Sequence, residues 1–455
     1  MRNRAVGFGH RPASGYTRVT LAAASICVLA AGLSCPSKQV QSPAVTVAES
    51  RDDIVLFFTG SALGVLKPCG CSGGQLGGLE RRTSIFAASP KVNRLIVDTG
   101  GMVLNDGEQD LIKFRILFEG FRLLGYDLVH LTPQDGEITA NLGILNEGDK
   151  PFKIIAARGQ DAGMPASFAR QFTVRDRTIS VNVAAFDAQA GPIGQSAGLF
   201  PDGDASLRVN ILILGGCEGR AAQDILSTVP PTVDCVICPS DSDEPRLLSE
   251  PGARPLAFTV GRFGRHVSRV GVTVPAQKGP LALRLADVPV AEELPKDEAL
   301  VRLYQSYQHL VKDGNLLEKY PSIPLPQKDV TFVGSKTCAR CHEYEHGKWS
   351  EKAHADAFAT LKKVGSDRDP ECVICHVVGM EYSEGFITEE RTAHLKDVGC
   401  EVCHGPGSEH VQTAGQAKTS EPKKNCLNCH TPEHSGEYAG HEEEFMKKIV
   451  HWREP

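Results

Sequence analysis

The chain has 455 residues, with 49 Lys and Arg against 55 Asp and Glu, and therefore a formal net charge of −6 at pH 7. This acidic balance argues against nucleic acid as a partner, because phosphate contacts require clustered basic side chains. The length suggests two or three domains, and the 15 cysteines point to metal, haem or disulfide chemistry.

The first 35 residues have the pattern of an export signal. A basic start without carboxylates is followed by an apolar stretch over residues 21–31, which is too short for a stable membrane anchor. It ends in Gly32-Leu33-Ser34-Cys35, which resembles a bacterial lipoprotein cleavage box with the leucine one place out of pattern. We predict export to the periplasm or the outer face of a membrane, with a membrane tether through lipidated Cys35. Ordinary signal cleavage and an uncleaved anchor are the alternatives, and residues 36–52 are predicted to be a polar tether.

Residues 53–290 are predicted to form an α/β domain of two or three layers, because short β-branched runs alternate with helix-like stretches. Three of the runs are continuously apolar, which is typical of strands buried on both faces. The predicted strands are residues 54–58, 94–97, 153–156, 209–214, 235–237 and 267–274, and the predicted helices are residues 111–124 and 221–228. Residues 291–329 are predicted to be a helical connector that ends in a Pro-rich linker.

Four Cys-x-x-Cys-His motifs lie near the end of the chain. In such a motif two thiols add across porphyrin vinyl groups and the histidine ligates iron, which is c-type haem attachment. A zinc knuckle with an adjacent histidine is the alternative for one motif, but not for four in series. We predict four covalently bound haem c groups, held by Cys338, Cys341, Cys372, Cys375, Cys400, Cys403, Cys426 and Cys429. The proximal iron ligands are then His342, His376, His404 and His430.

The region around these motifs, residues 330–455, has few large aliphatic side chains, and covalent haem would supply the missing apolar mass. Residues 333–342, 349–355, 399–410 and 426–435 are similar, in order, to the cytochrome c-554 family of tetrahaem electron-transfer proteins. The resemblance implies a mainly α-helical multihaem cytochrome c module. One of the four haems is five-coordinate in that family, and the sequence leaves open whether the same holds here.

Seven histidines outside the motifs are candidates for the sixth, distal iron position. His354 follows His342 by twelve residues, about 18 Å along a helix, so it is expected to reach a neighbouring haem. A Gly-Pro-Gly turn separates His410 from His404 and directs it toward an adjacent haem. The resemblance favours His451 as the third distal ligand. His394 is the next candidate, followed by His346, His434 and His441.

The first domain resembles the metal-dependent domain of 5'-nucleotidases and other calcineurin-like metallophosphoesterases, a sandwich of sheets and helices. That family carries Asp-x-His-Gly, Gly-Asp and Gly-Asn-His-Asp/Glu motifs, followed by a strand that ends in His and by a Gly-Gly-His-x-His loop. The corresponding places here are residues 61–64, 100–101, 132–135, 216–219 and 238–242. Ser61, Leu63, Gly101, Pro133 and Gln134 cannot hold the two metals of a hydrolase. We therefore expect a catalytically silent scaffold with no catalytic residues.

Five cysteines lie outside both the haem motifs and the predicted export signal. The glycine-rich run at residues 67–82 fits neither a Walker loop nor a dinucleotide fingerprint, so its cysteines are its distinctive feature. One or two disulfides with a buried thiol are the simpler interpretation for an exported protein. The speculative alternative is a thiolate cluster for zinc or copper(I), formed by Cys69, Cys71, Cys217 and Cys238.

The sequence thus predicts an exported tetrahaem cytochrome that relays electrons between redox partner proteins, with the phosphoesterase-like domain as a scaffold. One alternative is a redox enzyme that acts on a small nitrogen or sulfur species at an open haem. Another is a phosphohydrolase fused to a cytochrome. We expect a non-enzymatic electron-transfer protein.

Overall fold

The computed structural model of the protein describes residues 52–68, 74–146, 151–157, 163–420, 426–431, 435 and 438–452. The predicted export signal, Cys35, nearly all of the predicted tether, and Cys69, Cys71 and His434 lie outside these described residues.

The described residues form twelve strands in two sheets. The strands are β1 (Ile54–Thr59), β2 (Arg94–Asp98), β3 (Leu128–Leu131), β4 (Lys153–Ala156), β5 (Ser167–Val174), β6 (Arg177–Asp187), β7 (Arg208–Gly215), β8 (Cys235–Cys238), β9 (Arg246–Leu247), β10 (Leu256–Thr259), β11 (His266–Thr273) and β12 (Ala282–Pro289). The first sheet has the order β12-β11-β1-β2-β3-β4 and the second β5-β6-β7-β8-β10-β9.

Thirteen α-helices occur in the same described part of the chain. They are α1 (Arg82–Ala87), α2 (Glu108–Leu124), α3 (Pro133–Asn141), α4 (Ala222–Leu226), α5 (Glu298–Asp313), α6 (Ser335–Cys338), α7 (Glu343–Ser350), α8 (Ala357–Val364), α9 (Pro370–Val373), α10 (Glu389–Thr392), α11 (Cys400–His404), α12 (Ser408–Gln412) and α13 (Glu442–Ile449). The first five belong to the α/β domain and connector, and the remaining eight, most of them short, surround the haem motifs.

The two sheets pack face to face through an apolar core. Side chains of β1, including Leu56 and Phe58, meet Val181 and Val183 of β6 and Phe258 of β10 there. The outer face of the first sheet is covered by α1, α2, α3 and α5, and that of the second by α4 and the turns after β6. The order helix, sheet, sheet, helix makes the predicted sandwich a four-layer structure, whereas the sequence indicated two or three layers.

The predicted strands all occur, but β3, β5, β6, β9, β10 and β12 were not predicted as strands. The edge strands β5 and β12 alternate exposed and half-buried side chains along most of their length, so they lack the apolar run on which the prediction depended. The helix predicted at residues 221–228 is shorter, at Ala222–Leu226.

A small separate core lies beneath the haem motifs. It consists of Leu317, Phe332, Phe358, Leu361, Val373, Val377, Val378, Met380, Phe386 and Leu395. Ten buried apolar residues are few for a stretch of more than a hundred, which suits a module that completes its interior with covalently bound groups.

Candidate haem-binding site

Short helical turns shape the attachment motifs. The amide of His342 bonds the carbonyl oxygen of Cys338 at 3.0 Å, and the amide of His430 bonds that of Cys426 at 2.7 Å. The third motif is itself a helix, Cys400–His404. A helical turn brings residues i, i+3 and i+4 to one side, so both thiols and the imidazole can meet one porphyrin.

Three pairs of histidines face each other with similar spacing. The ring centroids of His342 and His410 are 6.0 Å apart, those of His354 and His430 are 6.3 Å apart, and those of His404 and His451 are 6.4 Å apart. A metal bound by two imidazoles lies roughly 2 Å from each ligating nitrogen, which places the ring centroids about 6 Å apart. Each pair contains one histidine of an attachment motif and one from elsewhere, so each could ligate one haem iron from both sides.

Hydrogen bonds orient several of these rings. The Nδ1 atoms of His410 and His451 lie 2.8 Å and 2.9 Å from the carbonyl oxygens of Ala417 and Ile449. The Nδ1 atom of His376 lies 2.5 Å from the carbonyl oxygen of Ala357. A carbonyl oxygen can only accept, so Nδ1 is the donor in each contact and Nε2 is the ring nitrogen left to face a metal.

Burial lowers the pKa of three of the paired histidines. It lowers the pKa of His354, with additional lowering by the nearby His430, His376 and His451. Burial also lowers the pKa of His404 and of His430. Because only the neutral imidazole binds a metal, these environments favour ligation.

Contacts between cysteines of different motifs give the motifs a spatial order. The thiols of Cys338 and Cys400 lie close enough for their interaction to lower the pKa of Cys400 and raise that of Cys338. Cys375 likewise lies close to Cys429, and Cys403 lies close to Cys426. The order in space is therefore first, third, fourth and second motif, which the sequence order does not reveal.

The other candidate histidines occupy different surroundings. His346 lies against the ring of Trp349, with centroids 5.4 Å apart, and His441 faces Glu444 at 3.6 Å. His394 lies in a 3-10 turn whose backbone approaches Gly334. The ring contacts seen among the described residues do not bring any of these three to a motif histidine.

A cleft of about 360 Å³ lies at the ends of strands from both sheets, where the phosphoesterase motifs would be. Its lining includes Ser61, Gly101, Thr132, Pro133 and Cys238. In the part of the chain that the structure describes, no group of three or more His, Cys, Asp or Glu side chains is placed to hold a metal ion.

Two carboxylates near the cleft, those of Asp135 and Asp98, are occupied by hydrogen bonds from neighbouring groups. Asp135 accepts hydrogen bonds from the amides of Gly101 at 2.7 Å and Met102 at 3.0 Å, and it also closes a capping box at the start of α3. Asp98 accepts from the Thr59 hydroxyl at 2.6 Å and the Gly100 amide at 2.9 Å, and its burial raises its pKa to about 6. Both carboxylates therefore hold the cleft loops in place.

The predicted thiol cluster is only partly within the described residues. Cys217 and Cys238 are buried and close enough to influence each other, and neither they nor Cys235 forms a disulfide with another described cysteine. Burial raises the pKa of Cys217 to about 11 and that of Cys238 to about 12. In an apolar interior such raised values favour the protonated thiol. Because Cys69 and Cys71 lie outside the described residues, the disulfide expected between the glycine-rich loop and a cysteine across the cleft stays a prediction.

Residues 337–405 match the family model described as cytochrome c554 and c-prime. This segment is thus similar to the family that the order of its motifs predicted. A comparison with curated proteins gives no match. Among the described residues, no helix is long and apolar enough to cross a membrane.

Several solved structures are similar over the first part of the chain. The calcineurin-like phosphoesterase YfkN from Bacillus subtilis is 12% identical, with a TM-score of 0.42 over 56% of this chain and 96% of that one. The 5'-nucleotidase precursor from Thermus thermophilus is 15% identical, with a TM-score of 0.42 over 69% and 68%. The sulfate thiohydrolase SoxB from the same organism is 14% identical, with a TM-score of 0.40 over 58% and 62%. Both resemblances expected from the sequence are thus found.

Proposed function

We propose that this protein is an exported tetrahaem c-type cytochrome that relays electrons between redox partner proteins. The observation that carries the proposal is the spacing of the three histidine pairs, 6.0 to 6.4 Å, next to four attachment motifs. A bis-histidine iron has no open position, which suits outer-sphere electron transfer between the ferric and ferrous states.

Each pair supports one distal ligand for one attachment motif in this proposal. His410 serves the haem whose proximal ligand is His342, and His451 serves the haem of His404. His354 serves the haem of His430, in line with the expectation that it reaches beyond its own motif. The haem of His376 is held by Cys372 and Cys375. The carbonyl oxygen of Ala357 orients the imidazole ring of His376.

The contacts between cysteines support a single conduction path. Haems whose attachment thiols touch lie close together, so electrons pass in the spatial order of the motifs: first, third, fourth and second. The first and second motifs then mark the two ends of the path. One redox partner docks at each end.

The α/β domain acts as a catalytically silent scaffold. Its cleft offers serine, glycine and proline at places where a two-metal hydrolase needs metal ligands. The export signal and the lipid on Cys35 would place the whole protein on the outer face of a membrane, where haem attachment takes place.

Stopped-flow reduction of the haem-loaded protein tests the relay. An artificial donor should reduce all four haems, and His451→Ala should slow electron flow because it alters the haem in the middle of the path. Transfer at the native rate in that variant would contradict the proposed order.

A further inference from the structure

A polar network joins the α/β domain to the segment that immediately precedes Cys372. Lys113 of α2 is only 5% exposed, and its ammonium group is hydrogen-bonded to the carboxylate of Glu371. Glu371 is the residue before Cys372 and lies in α9, the helix that carries this attachment cysteine. The α/β domain thus places a buried cation beside one haem motif.

Asp369 is the N-cap residue of the same helix. Its carboxylate caps α9 through the amide of Glu371 at 3.1 Å. It also accepts hydrogen bonds from Gln109 of α2 at 2.8 Å and from the hydroxyl of Tyr307 in α5 at 2.9 Å. Asp369 and Tyr307 are both buried. Two helices of the first part of the chain therefore hold the first turn of α9 in a defined position.

Lys113 is shielded from water more strongly than its partner. The loop after β1 covers it closely, because a Cβ atom on Gly64 would lie 3.3 Å from Cδ and 3.5 Å from Nζ of Lys113. The side chain of Glu371 is 57% exposed, whereas that of Lys113 is 6% exposed. Solvent screens the carboxylate more than the ammonium, so the field of the lysine reaches further through the protein.

We propose that Lys113 positions α9 and raises the reduction potential of the haem attached at Cys372 and Cys375. Reduction adds one electron to a haem, and a buried positive charge nearby favours the reduced state. The α/β domain then contributes to electron transfer by setting the potential at one end of the path. This inference rests on the proposed cytochrome function.

Potentiometric titration of the full-length, haem-loaded protein tests the inference. Lys113→Met should make one of the haem potentials more negative by about 59 mV, which corresponds to a tenfold change in the redox equilibrium. The other potentials should stay unchanged. Lys113→Arg keeps the charge and should retain the native potential. Glu371→Gln removes a negative charge at the same place and should shift the same potential in the opposite direction.

Lys319→Met is the matched control. Lys319 pairs at 2.8 Å with Glu108, which also belongs to α2, but both side chains are more than half exposed. Its removal should leave every potential unchanged.

The outcomes separate an electrostatic role from loosened packing. If Lys113→Met and Glu371→Gln shift the potential in the same direction, or if neither shifts it, the inference is overturned. If the protein carries haem at all four motifs and fails this test, only the inference about Lys113 is refuted. A protein that carries no haem at Cys372 and Cys375 refutes the proposed function itself.

Discussion

The imidazoles of His354 and His430 face each other with centroids 6.3 Å apart, although His354 follows the first attachment motif and His430 belongs to the fourth. The spacing suits one iron between the two rings. To produce this spacing, the fold must bring the beginning and the end of the module into contact. One iron between the two rings would connect the beginning and the end of the haem module.

Covalent haem content is the first prediction. The purified protein should retain four haems after acid–acetone extraction, with the corresponding increase in mass, because each motif forms two thioether bonds. Cys400→Ala combined with Cys403→Ala should remove one haem. A variant that still carries four, or a native protein with none, would contradict the assignment.

The distal ligands give the second prediction. His354→Ala, His410→Ala and His451→Ala should each convert one low-spin haem to high spin, because each removes the sixth ligand of one iron. Electron paramagnetic resonance of the oxidised protein measures this. His441→Ala is the control, since His441 lies at the start of α13 beside Glu444 and should not change the spectrum. An unchanged spectrum in any of the first three excludes that histidine as a ligand.

The third prediction concerns the cleft. Phosphate-ester hydrolysis should stay at background with added manganese or zinc, because no described side chains there form a metal-binding group. Metal-stimulated turnover, abolished by a chelator, would refute the scaffold role.

The buried thiols give the fourth prediction. Cys217, Cys235 and Cys238 should react with alkylating reagents only after unfolding, because burial raises the pKa of each thiol and the thiolate is the reactive form. Elemental analysis of the same sample should find no zinc or copper. Stoichiometric metal that disappears in Cys238→Ser would instead support the thiol cluster.

Asp98 gives the fifth prediction, on the pH dependence of stability. Burial raises its pKa from 3.8 to about 6 in the folded protein, so the folded state holds the proton more tightly than the unfolded state. The free energy of unfolding should therefore fall as the pH rises from about 4 to about 6, by roughly 3 kcal/mol at most from this group.

Asp98→Asn is the matching variant, because the amide cannot ionise. Denaturant unfolding of both proteins across this range should show a smaller loss of stability with rising pH in the variant. Parallel curves for the two proteins would show that Asp98 has the same pKa in the folded and unfolded states.

Features encoded in short stretches could be predicted from the sequence. The haem motifs depend on five consecutive residues and one helical turn, and the strand β1 is a continuous apolar run, so both follow from local chemistry. The strands β5 and β12 could not be predicted in this way, because they contain no apolar run. At these sheet edges the residues are extended because they pair with the neighbouring strands, β6 and β11.

The sequence by itself determined which residues can bind haem and which places in the α/β domain lack metal ligands. Only the tertiary structure decided which histidine faces which motif, that the second motif follows the fourth in space, and that Lys113 lies beside Glu371. Covalent attachment is a local property of a motif. Ligand pairing, haem order and buried charge instead depend on contacts between residues distant in the chain, which only the folded packing establishes.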